Sequence, residues 1–155
     1  MNLLKYKATS LITILAIIAV MGLLVAIIVP SLTNSRQRQS LNGSTDDIVS
    51  LLVTARSQTL SSYNSRNYGV HFTSTSITLF TGPTYNVNAT DNIVKTLDTG
   101  VSLSTISLTG GGSDVIFDRL KGSTSQYGTI VVQVSGSVAY LKTITISSTG
   151  LVSTQ

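Results

Sequence analysis

From Leu11 to Val29 the chain is uncharged and almost wholly aliphatic, interrupted only by Thr13 and Gly22. As a helix those 19 residues rise about 28 Å, close to the ~30 Å hydrocarbon core of a bilayer. Pro30 follows at once and predicts a kink, because its ring removes a donor and crowds the preceding turn. The next stretch, Asn34 to Gln39, is polar and carries Arg36 and Arg38. Asn42-Gly43-Ser44 reads as a break, and Ser44-Thr45-Asp46-Asp47 as a fresh helix start, with a cap and first-turn carboxylates that complement the helix dipole. Ile48, Leu51, Leu52, Ala55 and Thr59 then recur at helical spacing and predict a face turned towards a core, the helix ending near Tyr63-Asn64.

Beyond Arg66 the period changes from helical to two. Tyr68, Val70 and Phe72 alternate with Gly69 and His71 in a first strand. Ser76 to Gly82 is a second, closed by a Gly82-Pro83 turn, after which a polar loop runs through Asp98. Further strands are expected at 101–108, 115–120, 129–134 and 138–146, separated by glycine- and serine-rich turns, with Thr149-Gly150 a last turn before Leu151-Val152. The expected fold class is therefore α+β: one long N-terminal helix, half membrane-spanning and half amphipathic, packed on an antiparallel β-sheet head.

Composition narrows the picture. The 155 residues leave room for one domain, and a head of about 100 residues gains from packing against a helix. Charged residues are 10% of the chain, with no glutamate, and the net charge is +4. Setting aside Lys5 and Lys7 leaves eight basic and six acidic residues, a net +2, too weak to argue for a nucleic-acid partner. Without cysteine, nothing depends on disulfides or thiol chemistry. Lys5 and Lys7 precede the apolar run and place the N-terminus in the cytoplasm and the head outside. A secretory signal peptide has an apolar region of roughly 7–15 residues before a small-x-small cut. Here the run is longer and a polar helical pattern follows, so the segment reads as a retained anchor.

The segment Ala8-Thr9-Ser10-Leu11-Ile12-Thr13, followed by the apolar helix and Pro30, resembles the class III leader of type IV pilins and pseudopilins. The resemblance implies a prepilin leader at 1–8, cleaved by a prepilin peptidase between Ala8 and Thr9, and methylation of the new amine on Thr9. It implies a transmembrane and filament-core helix at 9–30, a linker and amphipathic helix at 31–64 and a globular head at 65–155. Thr9 stands where that family has an aromatic residue, Ala8 where it has glycine, and Thr13 where it has glutamate. The family's carboxylate is thought to neutralise a neighbouring subunit's N-terminal amine, and a threonine hydroxyl supplies no charge. Thr13 reads either as a hydroxyl bonded back to its own helix or as the mark of a special place in the filament, such as the tip. In the head, Ala55-Arg56-Ser57-Gln58, Tyr68-Gly69-Val70-His71-Phe72, Ile116-Phe117 with Gly122, and Ile146-x-x-x-Gly150-x-Val152 are similar to H-type pseudopilins and FimT-like minor pilins.

No enzyme site is readable. His71 is the only histidine, and no Gly-x-Ser-x-Gly elbow occurs. Gly110-Gly111-Gly112 lacks the Gly-Lys-Ser/Thr of a phosphate loop and reads as a turn. Asp46 and Asp47 point about 100° apart on a helix and do not converge on one ion. Asn86, Asn88, Asp91, Asn92 and Asp98 are oxygen donors of the kind calcium takes, but their spacing matches no defined site, so neither metal nor cofactor is expected. Arg119, Lys121 and Lys142 are the candidates for a weak DNA-contact patch, with Arg56 and Arg66 near the helix end. The leading reading is a structural subunit of a type IV pilus-like or secretion filament. Its partners would be other pilin subunits, a prepilin peptidase, an inner-membrane assembly platform and, before assembly, the membrane. The alternatives are a tip adhesin or DNA-uptake pilin, and an unrelated single-pass membrane protein with an external β domain.

Overall fold

The computed structural model describes residues 3–137 and 139–155, the side chains of 3–10 and 25–32 excepted. One helix, α1, runs Leu3–Leu60, and a single 3-10 turn follows at Tyr63–Ser65. Eight strands complete the chain: β1 (Tyr68–Phe72), β2 (Ser76–Thr81), β3 (Ile93–Thr96), β4 (Val101–Leu108), β5 (Asp114–Ile116), β6 (Gly128–Val134), β7 (Leu141–Ile146) and β8 (Val152–Thr154). They form two antiparallel four-stranded sheets, β3-β2-β1-β5 and β4-β6-β7-β8. Two compact units result, residues 1–36 and residues 37–155.

The helical assignment continues through Pro30 and through Asn42-Gly43-Ser44, so the break expected at 42–44 does not occur and Ser44 to Asp47 cap nothing. The reason lies in what these polar residues touch. Ser44 and Thr45 are buried. The Thr45 hydroxyl donates back to the Leu41 carbonyl at 2.7 Å, the Ser44 hydroxyl accepts the Asp98 amide at 3.0 Å, and Gly43 sits against the Asp98 carboxylate. A turn-like sequence is thus held helical by a loop that needs a small, polar helix surface there. The helix also ends earlier than expected, at Leu60, and Ser62, Asn64 and Ser65 take left-handed backbone angles as the chain swings into β1.

The buried stripe is Leu41, Thr45, Ile48, Leu52, Ala55 and Thr59, at alternating steps of four and three, and Leu51 packs partly against it. Against the stripe lie Tyr68, Val70 and Phe72 of β1, Ile77 and Leu79 of β2, Val115 and Phe117, and from the second sheet Val101, Leu103, Ile130, Val132, Ile144 and Ile146. In β6 and β7 the inward positions alternate as a half-buried sheet requires. β3, absent from the expected elements, divides the Asn86–Asp98 loop and pairs with β2, Leu79 opposite Ile93. β5 stops at Ile116 because Asp118 begins a tight turn: its carbonyl accepts the amides of Lys121 and Gly122, and its carboxylate accepts the Ser123 hydroxyl at 2.8 Å. β7 begins at Leu141, and Val138, taken above as its start, lies outside the described residues. β8 extends the chain end into the sheet, with Ile146 opposite Val152.

Candidate functional site

Three parts of the molecule hold the residues singled out in the sequence. The first is the apolar run. From Leu11 to Leu24 every side chain is exposed around the whole helix, Leu11 by 67% and Met21 by 64%. A helix apolar on all sides is suited to a lipid or helical-bundle environment, not to water. Among the described residues no helix is long and apolar enough to cross a membrane. The described side chains cover 14 positions of the run, about 21 Å of helix, and its remainder at 25–29 lies outside them. The side chains of Ala8, Thr9 and Pro30 are likewise outside them. Thr13 stands within the exposed run.

The second is the helix end, where dispersed sequence features converge. Arg56 donates from Nε to the Gly122 carbonyl at 3.1 Å and from Nη2 to the Thr149 carbonyl at 3.4 Å. A Cβ on Gly150, whose φ is 76°, would stand 1.9 Å from the Gly122 carbonyl oxygen and 2.9 Å from Arg56 Nε. Gly122 in turn lies against the Leu60 side chain. The Thr59 hydroxyl donates to the Ala55 carbonyl at 2.8 Å and accepts the Tyr68 amide at 3.0 Å, fixing the start of β1 to the last helical turn. The Ala-Arg-Ser segment, Gly122 and Gly150 are therefore one structural knot. Arg56 works there as a fork between two carbonyls rather than as a free surface cation.

The third is the outer face of the first sheet. His71 Nδ1 lies 2.5 Å from Asp114 Oδ1 on the neighbouring strand β5, the register partner of His71. Its ring stacks on Tyr85, with centroids 3.9 Å apart and planes at 7°, and Tyr85 meets Phe80 edge-on at 5.4 Å. Phe80 is buried over Gly69, where a Cβ would come within 2.5 Å of the ring. This small aromatic cluster fastens the 84–92 loop to the sheet. Tyr85 and Asp114 carry no motif, and only cross-strand register reveals them.

The oxygen-rich loop residues do not converge. Asn86 Oδ1 accepts the Asn88 amide at 3.0 Å, the Asn86 carbonyl accepts the Asn92 side-chain amide at 2.8 Å, and Asp91 lies 3.8 Å from Arg66. Among the described residues no group of three or more metal-ligating side chains is present. Asp47 pairs with Lys95 of β3, which explains a carboxylate that the sequence assigned to a cap. The basic candidates also separate. Arg119, hydrogen-bonded to the Ser65 carbonyl at 2.8 Å, and Lys121 belong to the turn beside Thr59 and Leu60. Lys142 instead borders a groove with Arg38, Leu41 and Asn42. The 18 residue steps from Leu41 to Thr59 span about 27 Å of helix, so the three cations form no single patch.

A long helix whose buried stripe carries two small antiparallel sheets is an arrangement with a solved counterpart. The type IV minor pilin FimU of Pseudomonas aeruginosa superposes with a TM-score of 0.60 at 13% identity, over 76% of this chain and 90% of that one. A second crystal form of the same protein gives 0.55 at 11%, over 74% and 91%. The chain has the pilin fold. No protein-family model matches the sequence, and no curated protein matches it at a significant level. At these identities the likeness is one of backbone architecture alone.

Proposed function

We propose that this chain is a structural subunit of a type IV pilus-like filament, of the minor-pilin or pseudopilin kind. The observation that carries the proposal is the pilin fold shared with a minor pilin over nine-tenths of that chain. It is supported by an all-round apolar helix on the N-terminal side of the head and by the leader-like Ala8-Thr9 segment. In this reading the run 11–29 anchors a single-pass protein, N-terminus in the cytoplasm, before assembly. Afterwards it joins the filament core beside other subunits, with the head periplasmic or extracellular. A prepilin peptidase removes residues 1–8, Thr9 is methylated, an inner-membrane platform extrudes the subunit, and Pro30 kinks the helix as it leaves the lipid.

Mass spectrometry of the protein purified from membranes that contain a prepilin peptidase tests the reading. A mature chain beginning with methylated Thr9 is the expected result, and an intact Met1 overturns the processing step. Thr13 sets the subunit's place: a threonine leaves a neighbour's buried ammonium without a counter-charge, an omission that costs several kcal/mol. Thr13→Glu should therefore raise incorporation at internal filament positions, and unchanged incorporation removes that role from Thr13.

A further inference from the structure

The inner face of β7 carries Ile146 and Ile144 into the core, and two residues further along the same face stands Lys142. A lysine at that alternation point marks where the core gives out. Opposite it is the beginning of the head's helical stretch, with Arg38, Leu41 and Asn42. Together with Ala139, Tyr140 and Leu141 these residues line an open groove of about 310 Å³. The Arg38 guanidinium lies over the Tyr140 ring, 5.3 Å from its centroid. Neither Arg38 nor Lys142 has an acidic partner, since the ion pairs among the described residues are Arg66–Asp91, His71–Asp114 and Lys95–Asp47. Two unpaired cations therefore share one groove whose wall and lip are apolar or aromatic, with Leu141 49% exposed.

That combination has a chemistry. A guanidinium held over an aromatic ring keeps its planar donor fork, and the fork matches phosphate oxygens in pairs. A lysine beside it adds a mobile point charge. A tyrosine settles at a lipid–water boundary, and an exposed leucine enters its apolar side. Arg38 also follows Val29, the end of the uncharged apolar run, by only nine residues, and helical side chains lean towards the N-terminus. We infer that this groove takes the phosphate of an anionic membrane phospholipid and docks the head on the membrane surface before the subunit is drawn into a filament. The inference rests on the anchored reading proposed above.

The test uses the full chain in lipid nanodiscs, of phosphatidylcholine alone or with one-third phosphatidylglycerol, read by hydrogen exchange at 38–42 and 139–142. Protection at both segments in the anionic discs, absent in the neutral ones and fading as salt rises from 50 to 500 mM, is the expected result. Each cation near an anionic surface is worth roughly a factor of five, so the double variant Arg38→Gln, Lys142→Gln should lower the docked-to-undocked ratio by about 25-fold. Unchanged exchange in β6 of the variant shows that its head is intact. Equal protection in both lipids, insensitivity to salt, or the same protection from inorganic phosphate with neutral discs overturns the inference. A chain that leaves the nanodisc altogether refutes the anchor reading instead, so the two failures are distinguishable.

Discussion

Gly69 and Arg56 show how much of this head is set by single side chains, or by the want of one. Gly69 leaves room for Phe80, and any Cβ there would press both on that ring and on the Val115 carbonyl, 2.8 Å away. Gly69→Ala should destabilise the head by about 1–3 kcal/mol, the usual cost of overpacking, as read from urea unfolding of residues 37–155. Arg56 bridges two carbonyls from turns far apart in sequence. Arg56→Ala should cost roughly 1–2 kcal/mol, and Arg56→Lys should recover only part of it, because a single ammonium cannot reproduce a planar fork. Neither role was readable beforehand. Arg56 and Gly150 stood in the sequence as separate motif fragments, and only the fold places Thr149, Gly122 and Arg56 within reach of one another.

At the scale of elements, Gly43 offers the sharpest test of the continuous helix. A glycine inside a helix is about 1 kcal/mol less favourable than alanine, and the added Cβ would meet the Asp98 carboxylate at 3.4 Å, an ordinary contact. Gly43→Ala should therefore stabilise the head by about 0.5–1 kcal/mol in thermal unfolding, whereas a helix broken at Gly43 would gain nothing from it. The Ile48–Thr59 stripe was legible because its residues recur at the spacing that one helix face demands, and the apolar run because 19 uncharged positions stand in a row. The break at 42–44 was misread because Asn-Gly-Ser has the local chemistry of a turn, and tertiary contacts from Asp98 override it. β3 escaped for the opposite reason. All four of its residues are exposed, so Ile93-Val94-Lys95-Thr96 shows no alternation, and only pairing with β2 makes it a strand. Alternation likewise told which face of each strand is buried, not which strands are neighbours, so one sheet was expected where two exist.

At the scale of the molecule, the two compact units differ in kind: residues 11–24 expose apolar side chains on all sides, and residues 37–155 hold a core of their own. Cutting after Gly150 removes β8 and so bares the β7 edge. It should lower the head's unfolding midpoint and raise hydrogen exchange along β7, which the uncut chain protects through Thr143 and Gln155, bonded in both directions at 2.9 and 3.0 Å. The Arg56 fork has a further consequence, concerning order in time. Its partners lie 66 and 93 residues downstream, so the fork closes only once residues 122 and 149 have both been synthesised. The end of the helix thus waits without these carbonyl partners until both turns have been made. If Leu11 to Val29 is an anchor, it has emerged and can enter the lipid long before the head is able to close, so insertion comes first and folding second on the far side of the membrane.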